Sequence, residues 1–167
     1  MQTNNQNTVV SASPKKILFC YAISDFRILV EIGLEVEVLE KNTIYPIPHV
    51  PKWYLGSCSL RGDVLPVINL HSLLGLEISN KKNRLLKLSH PDFSPIVIAI
   101  DKLPYQIDLN LLSDASINHH LNYPDWVISS MLYKQLNFIF ADHSDLFSAL
   151  QKGEHEHLLM PKQLGES

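Results

Sequence analysis

Apolar positions alternate with a period of two along several stretches of this chain. Residues 17–23 (ILFCYAI) form a near-continuous apolar run suited to a buried strand. Ser24 and Asp25 turn the chain. Phe26, Ile28, Val30 and Ile32 then alternate, and Leu34, Val36 and Val38 alternate against Glu35 and Glu37. This strand-turn-strand opening favours antiparallel pairing. Apolar runs at 85–88 and 96–100 flank a turn at His90-Pro91-Asp92. Leu103, Tyr105, Ile107 and Leu109 alternate again, and residues 136–141 (LNFIFA) read as a strand. Residues 77–84 form a polar, basic surface loop, and 110–125 a long loop with room for one helical turn. Residues 126–132 suit a strand or a short helix, whereas 144–151 (SDLFSALQ) start with a capping serine and carry helix formers. Many short strands separated by turn signals predict an all-β barrel or sandwich.

The organising stretch is 44–76, IYPIPHVPKWYLGSCSLRGDVLPVINLHSLLGL. Pro46, Pro48 and Pro51 fix their own φ and push the preceding residues toward extended geometry. They predict an extended connector that ends in Trp53 and Tyr54. Gly56 permits a tight turn or a close backbone approach. Two apolar runs, 57–60 and 64–70, then flank Arg61-Gly62-Asp63, which is the signature of a hairpin.

At 167 residues and 19.0 kDa, with 46% hydrophobic and 19% charged residues, the chain can bury one sizeable core or two small subdomains sharing one. The net charge of −3, with no basic block behind it, argues against nucleic acid or anionic membrane as the main partner. No apolar run approaches the roughly 20 residues of a membrane helix, and the polar N-terminus lacks signal-peptide order. These features predict a cytoplasmic chain.

Candidate chemistry is sparse. Cys20 and Cys58 are too few for a disulfide framework or a zinc site, and their apolar neighbours suggest small buried hydrophobes. His119 and His120 are adjacent and diverge in an extended chain, while His155-Glu156-His157 lacks the HExxH spacing of a helical zinc site. There is no P-loop, GxGxxG or GxSxG motif. Neither an enzyme nor a cofactor or metal site is expected.

The ordered combination of Ile47-Pro48, Val50-Pro51, Trp53, Gly56, Leu60-Arg61-Gly62, Leu65-Pro66-Val67-Ile68-Asn69-Leu70 and Leu74-Gly75 resembles the CheW-domain family. These are adaptors that join chemoreceptors to the histidine kinase CheA. The resemblance extends over about residues 17–150 and is strongest in the first half. Within the family, the spacing from Glu37-Val38-Leu39 through Trp53 to Arg61-Gly62 is most similar to the pilus-associated, PilI-like branch. The resemblance implies an all-β fold of two packed five-stranded β-barrel subdomains with short helices. Residues 1–14 would be a disordered tail, 15–151 the CheW-like domain and 152–167 a polar tail.

It also implies an adaptor linking the cytoplasmic tip of a methyl-accepting chemoreceptor to the regulatory domain of a CheA-type kinase, in chemotaxis or type IV pilus signalling. Arg61 is the leading candidate for the receptor groove, with Glu37 as its expected ion-pair partner and Val36, Val38, Val64 and Val67 as its apolar lining. Pro48, Trp53, Gly56, Gly62 and Pro66 are the structural motif positions, and Trp53 is expected in the core. Glu35, Pro95 and Ser129-Ser130 depart from the family pattern, the last two in the part that carries the kinase contact. Two other classes stay open: a barrel module binding oligonucleotides or another ligand, disfavoured by charge, and a small hydrolase using Cys58 with a histidine.

Overall fold

The computed structural model describes residues 14–40, 42–77, 84–117 and 122–161. Residues 1–13 of the expected N-terminal tail, His119 and His120 lie outside them.

Eleven strands form two sheets among the described residues. β1 (Ile17–Ile23), β2 (Phe26–Leu29), β8 (Lys102–Asp108), β9 (Ser116–Ile117), β10 (Val127–Tyr133) and β11 (Leu136–Ala141) make a six-stranded sheet, ordered β8-β1-β2-β11-β10-β9. β3 (Glu35–Leu39), β4 (Tyr54–Leu60), β5 (Asp63–Ile68), β6 (Arg84–Ser89) and β7 (Ile96–Ile100) make a five-stranded sheet, ordered β3-β6-β7-β5-β4. The five-stranded unit is thus an insertion between β2 and β8 of the other. The expected pair of sheets is present; one carries a sixth strand, the two-residue β9, from the stretch read as a loop. Residues 126–132, ambiguous in sequence, resolve as a strand.

Three apolar clusters explain the unbroken apolar runs. In β7, Val97 and Ala99 point into the five-stranded unit with Leu39, Cys58, Leu65, Val67 and Leu85, while Ile96, Ile98 and Ile100 point the other way. In β1, Cys20 enters the six-stranded unit with Leu29, Ile107, Leu112 and Phe138, while Tyr21 and Ile23 point outward. Those outward residues meet in a third core between the sheets. It also holds Trp53, Trp126 and Phe147. A strand between two cores has no polar face, so its sequence cannot alternate.

Gly56 sits at φ 138° beside a bulge in the β4–β5 pairing, where a Cβ would collide with the Tyr45 carbonyl. Ser57 exchanges backbone bonds with Tyr45 at 2.8 and 2.9 Å. The connector leaving β3 is thereby tied to β4, the opposite edge of the sheet, and the sheet curls shut.

α1 (Leu70–Leu73) follows β5, and α2 (His143–Lys152) follows β11. α2 is capped by Asp142, whose carboxylate accepts from the Asp145 N–H at 3.0 Å, two residues before the expected serine cap. α3 (His155–Leu158) corrects the expectation of a purely polar tail after 151: Leu158 is 0% exposed and completes the shared core. A single apolar residue among charges gives too weak a periodic signal to mark it. Ile32, expected on an inward face, is 95% exposed because β2 ends at Leu29. No described helix is long and apolar enough to cross a membrane.

Candidate functional site

β4 and β5 are joined by a two-residue turn, with Leu60 paired to Asp63 and both Arg61 (φ 53°) and Gly62 (φ 94°) left-handed. Positive φ at both central residues gives the twist that suits a hairpin, and glycine takes it without penalty. Arginine does not. That conformation aims the Arg61 side chain across the mouth of the five-stranded barrel to Glu37 on β3. Its Nη2 donates to Glu37 Oε1 at 2.6 Å. Lys87, cross-strand partner of Glu37, brings its Nζ to 3.9 Å from the other carboxylate oxygen. One carboxylate is therefore shared by two cations, and Arg61 keeps donors free for a visitor.

Beside this triad lies a cleft of about 440 Å³ lined by Arg61, Asp63, Val64, Pro66, Lys87 and Pro95 among others. Val64 is 73% exposed there. A second, more apolar cleft of about 180 Å³ shares Pro66 and Pro95 and runs on to Trp53, Tyr54 and Leu150. Together they form a trough along the outer face of β5, charged at one end and greasy at the other.

The six expected groove residues do not share one surface. Arg61 and Glu37 pair at the barrel mouth, and Arg61 and Val64 line one cleft. Val36 and Val38 lie on the face of β3 opposite Glu37; Val38 is exposed and Val36 packs against the shared core. Val67 is 0% exposed inside the five-stranded barrel and cannot touch a partner. Of the structural positions, Trp53 is buried in the shared core, as expected; Gly56 is buried, Gly62 forms the turn, Pro66 is half-buried and Pro48 is exposed.

Cys58 faces the interior of the same barrel, and burial pushes its thiol up. A protonated, enclosed thiol is a poor nucleophile, which removes the physical basis for a hydrolase using it. Among the described residues, no group of three His, Cys, Asp or Glu side chains could hold a metal ion.

Sequence reasoning missed a polar clasp at the barrel junction. His71 of α1, almost wholly buried, bonds through Nε2 to Asp101 Oδ2 at 2.7 Å, and the same oxygen accepts the Ser24 N–H at 2.5 Å. Nearby, Arg27 is buried without a carboxylate partner among the described residues. It donates to the Tyr105 hydroxyl at 3.0 Å and to the Ser24 and Phe26 carbonyls at 2.9 Å. Nothing in the local sequence around Arg27 or His71 distinguishes them from surface polar residues.

A model of the CheW-like domain matches residues 20–122, which runs from within β1 through β9 and takes in both sides of the Arg61 turn. The chain belongs to the CheW-like domain family. Among individual proteins, it is 36% identical over 59 residues to protein FrzA of Myxococcus xanthus, covering 35% of this chain and 37% of that protein. It is 27% identical over 84 residues to the chemotaxis protein CheW of Thermotoga maritima, covering 46% and 56% respectively. The chain therefore spans well under two thirds of either relative. The crystal structure of the scaffolding protein TtCheW from Thermoanaerobacter tengcongensis superposes with a TM-score of 0.57 at 18% identity, covering 77% of this chain and 89% of that one. That likeness carries the fold.

Proposed function

We infer that this CheW-like domain is a non-enzymatic adaptor that joins the cytoplasmic tip of a methyl-accepting chemoreceptor to the regulatory domain of a CheA-type histidine kinase. Family membership, together with its likeness to a chemotaxis protein and a scaffolding protein, supports the general role. The observation that carries the receptor end is the Arg61 corner. An arginine is held at positive φ, exposed, and only partly satisfied by a carboxylate that a lysine also claims. Strained backbone at an exposed polar residue marks a place where orientation matters. The planar fork of arginine suits the carboxylates or free carbonyls of a docking helix, and Val64 and Pro66 supply apolar surface beside it, the helix-in-groove mode. Output to flagella or to type IV pili are both compatible with this role; the similarity to the pilus-associated branch favours the latter.

The test is binding by the purified chain to a receptor signalling-tip fragment and, separately, to the kinase regulatory domain. Binding to both, with Arg61→Glu abolishing only the receptor interaction, is the expected result. Failure of the native chain to bind either one overturns the adaptor reading.

A further inference from the structure

The chain has two tryptophans, and both give their indole N–H to one short segment beyond the stretch that the family model matches. Trp53 Nε1 donates to His155 Nδ1 at 3.3 Å, and Trp126 Nε1 donates to the Leu158 carbonyl at 3.1 Å. Trp53 leads into β4 of the five-stranded unit, and Trp126 leads into β10 of the six-stranded one. The same segment bonds to each side a second time. The Met160 N–H donates to the Leu73 carbonyl of α1 at 2.9 Å, and His157 Nδ1 pairs with Asp125 Oδ2. Gly153, at φ 68°, caps α2 and reverses the chain so that these contacts are reached.

Between the two units the backbone crosses only at 30–34 and at Asp101 among the described residues. Beside the shared core, the Ser24–Asp101–His71 clasp and the Ser144–His90 bond, residues 154–160 add a non-covalent tie across the same joint. Its hold consists of one buried apolar side chain, Leu158, and a few hydrogen bonds, two of them made by exposed histidines. Against this stands the ordering of seven residues. Such a segment opens far more readily than strands buried on both faces.

We propose that residues 154–160 are a releasable latch: docked, they hold the two barrels in one relative setting, and released, they let the barrels shift without either unfolding. The idea stands apart from the adaptor reading, because it concerns the joint between the barrels and not what grips them.

Hydrogen exchange and spin-label distances on the full chain test it. Amides of 154–160 should exchange at least 100-fold faster than those of β1 and β7. With labels placed through Ser59→Cys and Gln135→Cys, both exposed and on different barrels, the native chain should give one narrow distance distribution. The native cysteines are buried and stay unlabelled. Leu158→Asp should broaden or shift the distribution with the circular dichroism spectrum unchanged, and Trp126→Phe, which removes the indole donor and shrinks a buried ring, should do so in part. An unchanged distribution in both variants overturns the latch. So does exchange of 154–160 only in step with the barrel strands, or outright unfolding of Leu158→Asp, since the segment would then be inseparable from the barrels.

Discussion

Arg61 and Glu37 sit at opposite ends of the strand order of one sheet, yet their side chains meet at 2.6 Å. The pair closes a barrel whose backbone is closed at one further point, Tyr45 to Ser57. Both members are partly exposed, so the pair contributes only about 0.2–1 kcal/mol to stability. Its value lies in placement. Arg61→Ala is expected to lower the urea-derived stability by under about 1 kcal/mol while weakening receptor-fragment affinity tenfold or more. A double-mutant cycle with Glu37→Ala should show the two residues coupled in binding.

Val64 and Val67 should separate surface from core. Val64→Ala is expected to leave stability within about 0.5 kcal/mol and to reduce receptor affinity. Val67→Ala opens space inside the barrel and should cost about 2 kcal/mol without a specific effect on the interface of the surviving fold. Equal stability losses in urea melts would contradict the assignment of opposite faces.

Two glycines of the central segment differ in what they exclude. At Gly62 the space around a new Cβ is empty, so Gly62→Ala meets backbone strain alone, about 1 kcal/mol. At Gly56 the Cβ would strike the Tyr45 carbonyl that closes the barrel, and Gly56→Ala should cost about 3 kcal/mol or more. Denaturant midpoints of the two variants give the ordering directly.

His143 gives the fold a weakness toward acid. Its ring is fully buried, with Nε2 bonded to the Tyr21 hydroxyl at 3.2 Å. Burial pulls its pKa from 6.5 down to about 4, with the nearby Asp142 opposing. The unfolded chain therefore takes up this proton first. Stability from the neutral ring is complete above pH 6.5 and is lost progressively as pH falls toward 4. The loss approaches about 3 kcal/mol. Glu31, whose carboxyl is raised by burial, takes its proton early in the folded state and offsets part of this. Urea midpoints between pH 7 and 4.5 should fall for the native chain and less steeply for His143→Gln, which keeps a partner for Tyr21.

Strand existence was legible wherever turns contained Ser-Asp or Arg-Gly, and the Arg61–Glu37 pair followed from the family's pattern. The β10–β11 turn was not legible. It uses Lys134 and Gln135 at φ 47° and 64°, with neither glycine nor asparagine to announce it. Grouping Val64 with Val67 in one groove overlooked parity: residues three apart on a strand face opposite ways, as do Glu37 and its neighbours Val36 and Val38. The clasp of His71, Asp101 and Ser24 joins three elements far apart in sequence, so no local pattern encodes it.

The insertion of one sheet within the other also sets an order of assembly. A chain emerging from the ribosome holds all of β3 to β7 before β8, β10 and β11 exist, so the inner barrel can close first. β1 and β2 wait, with their apolar residues uncovered, for partners from the far end. Leu158, which completes the core between the two sheets, follows only after every strand has been made.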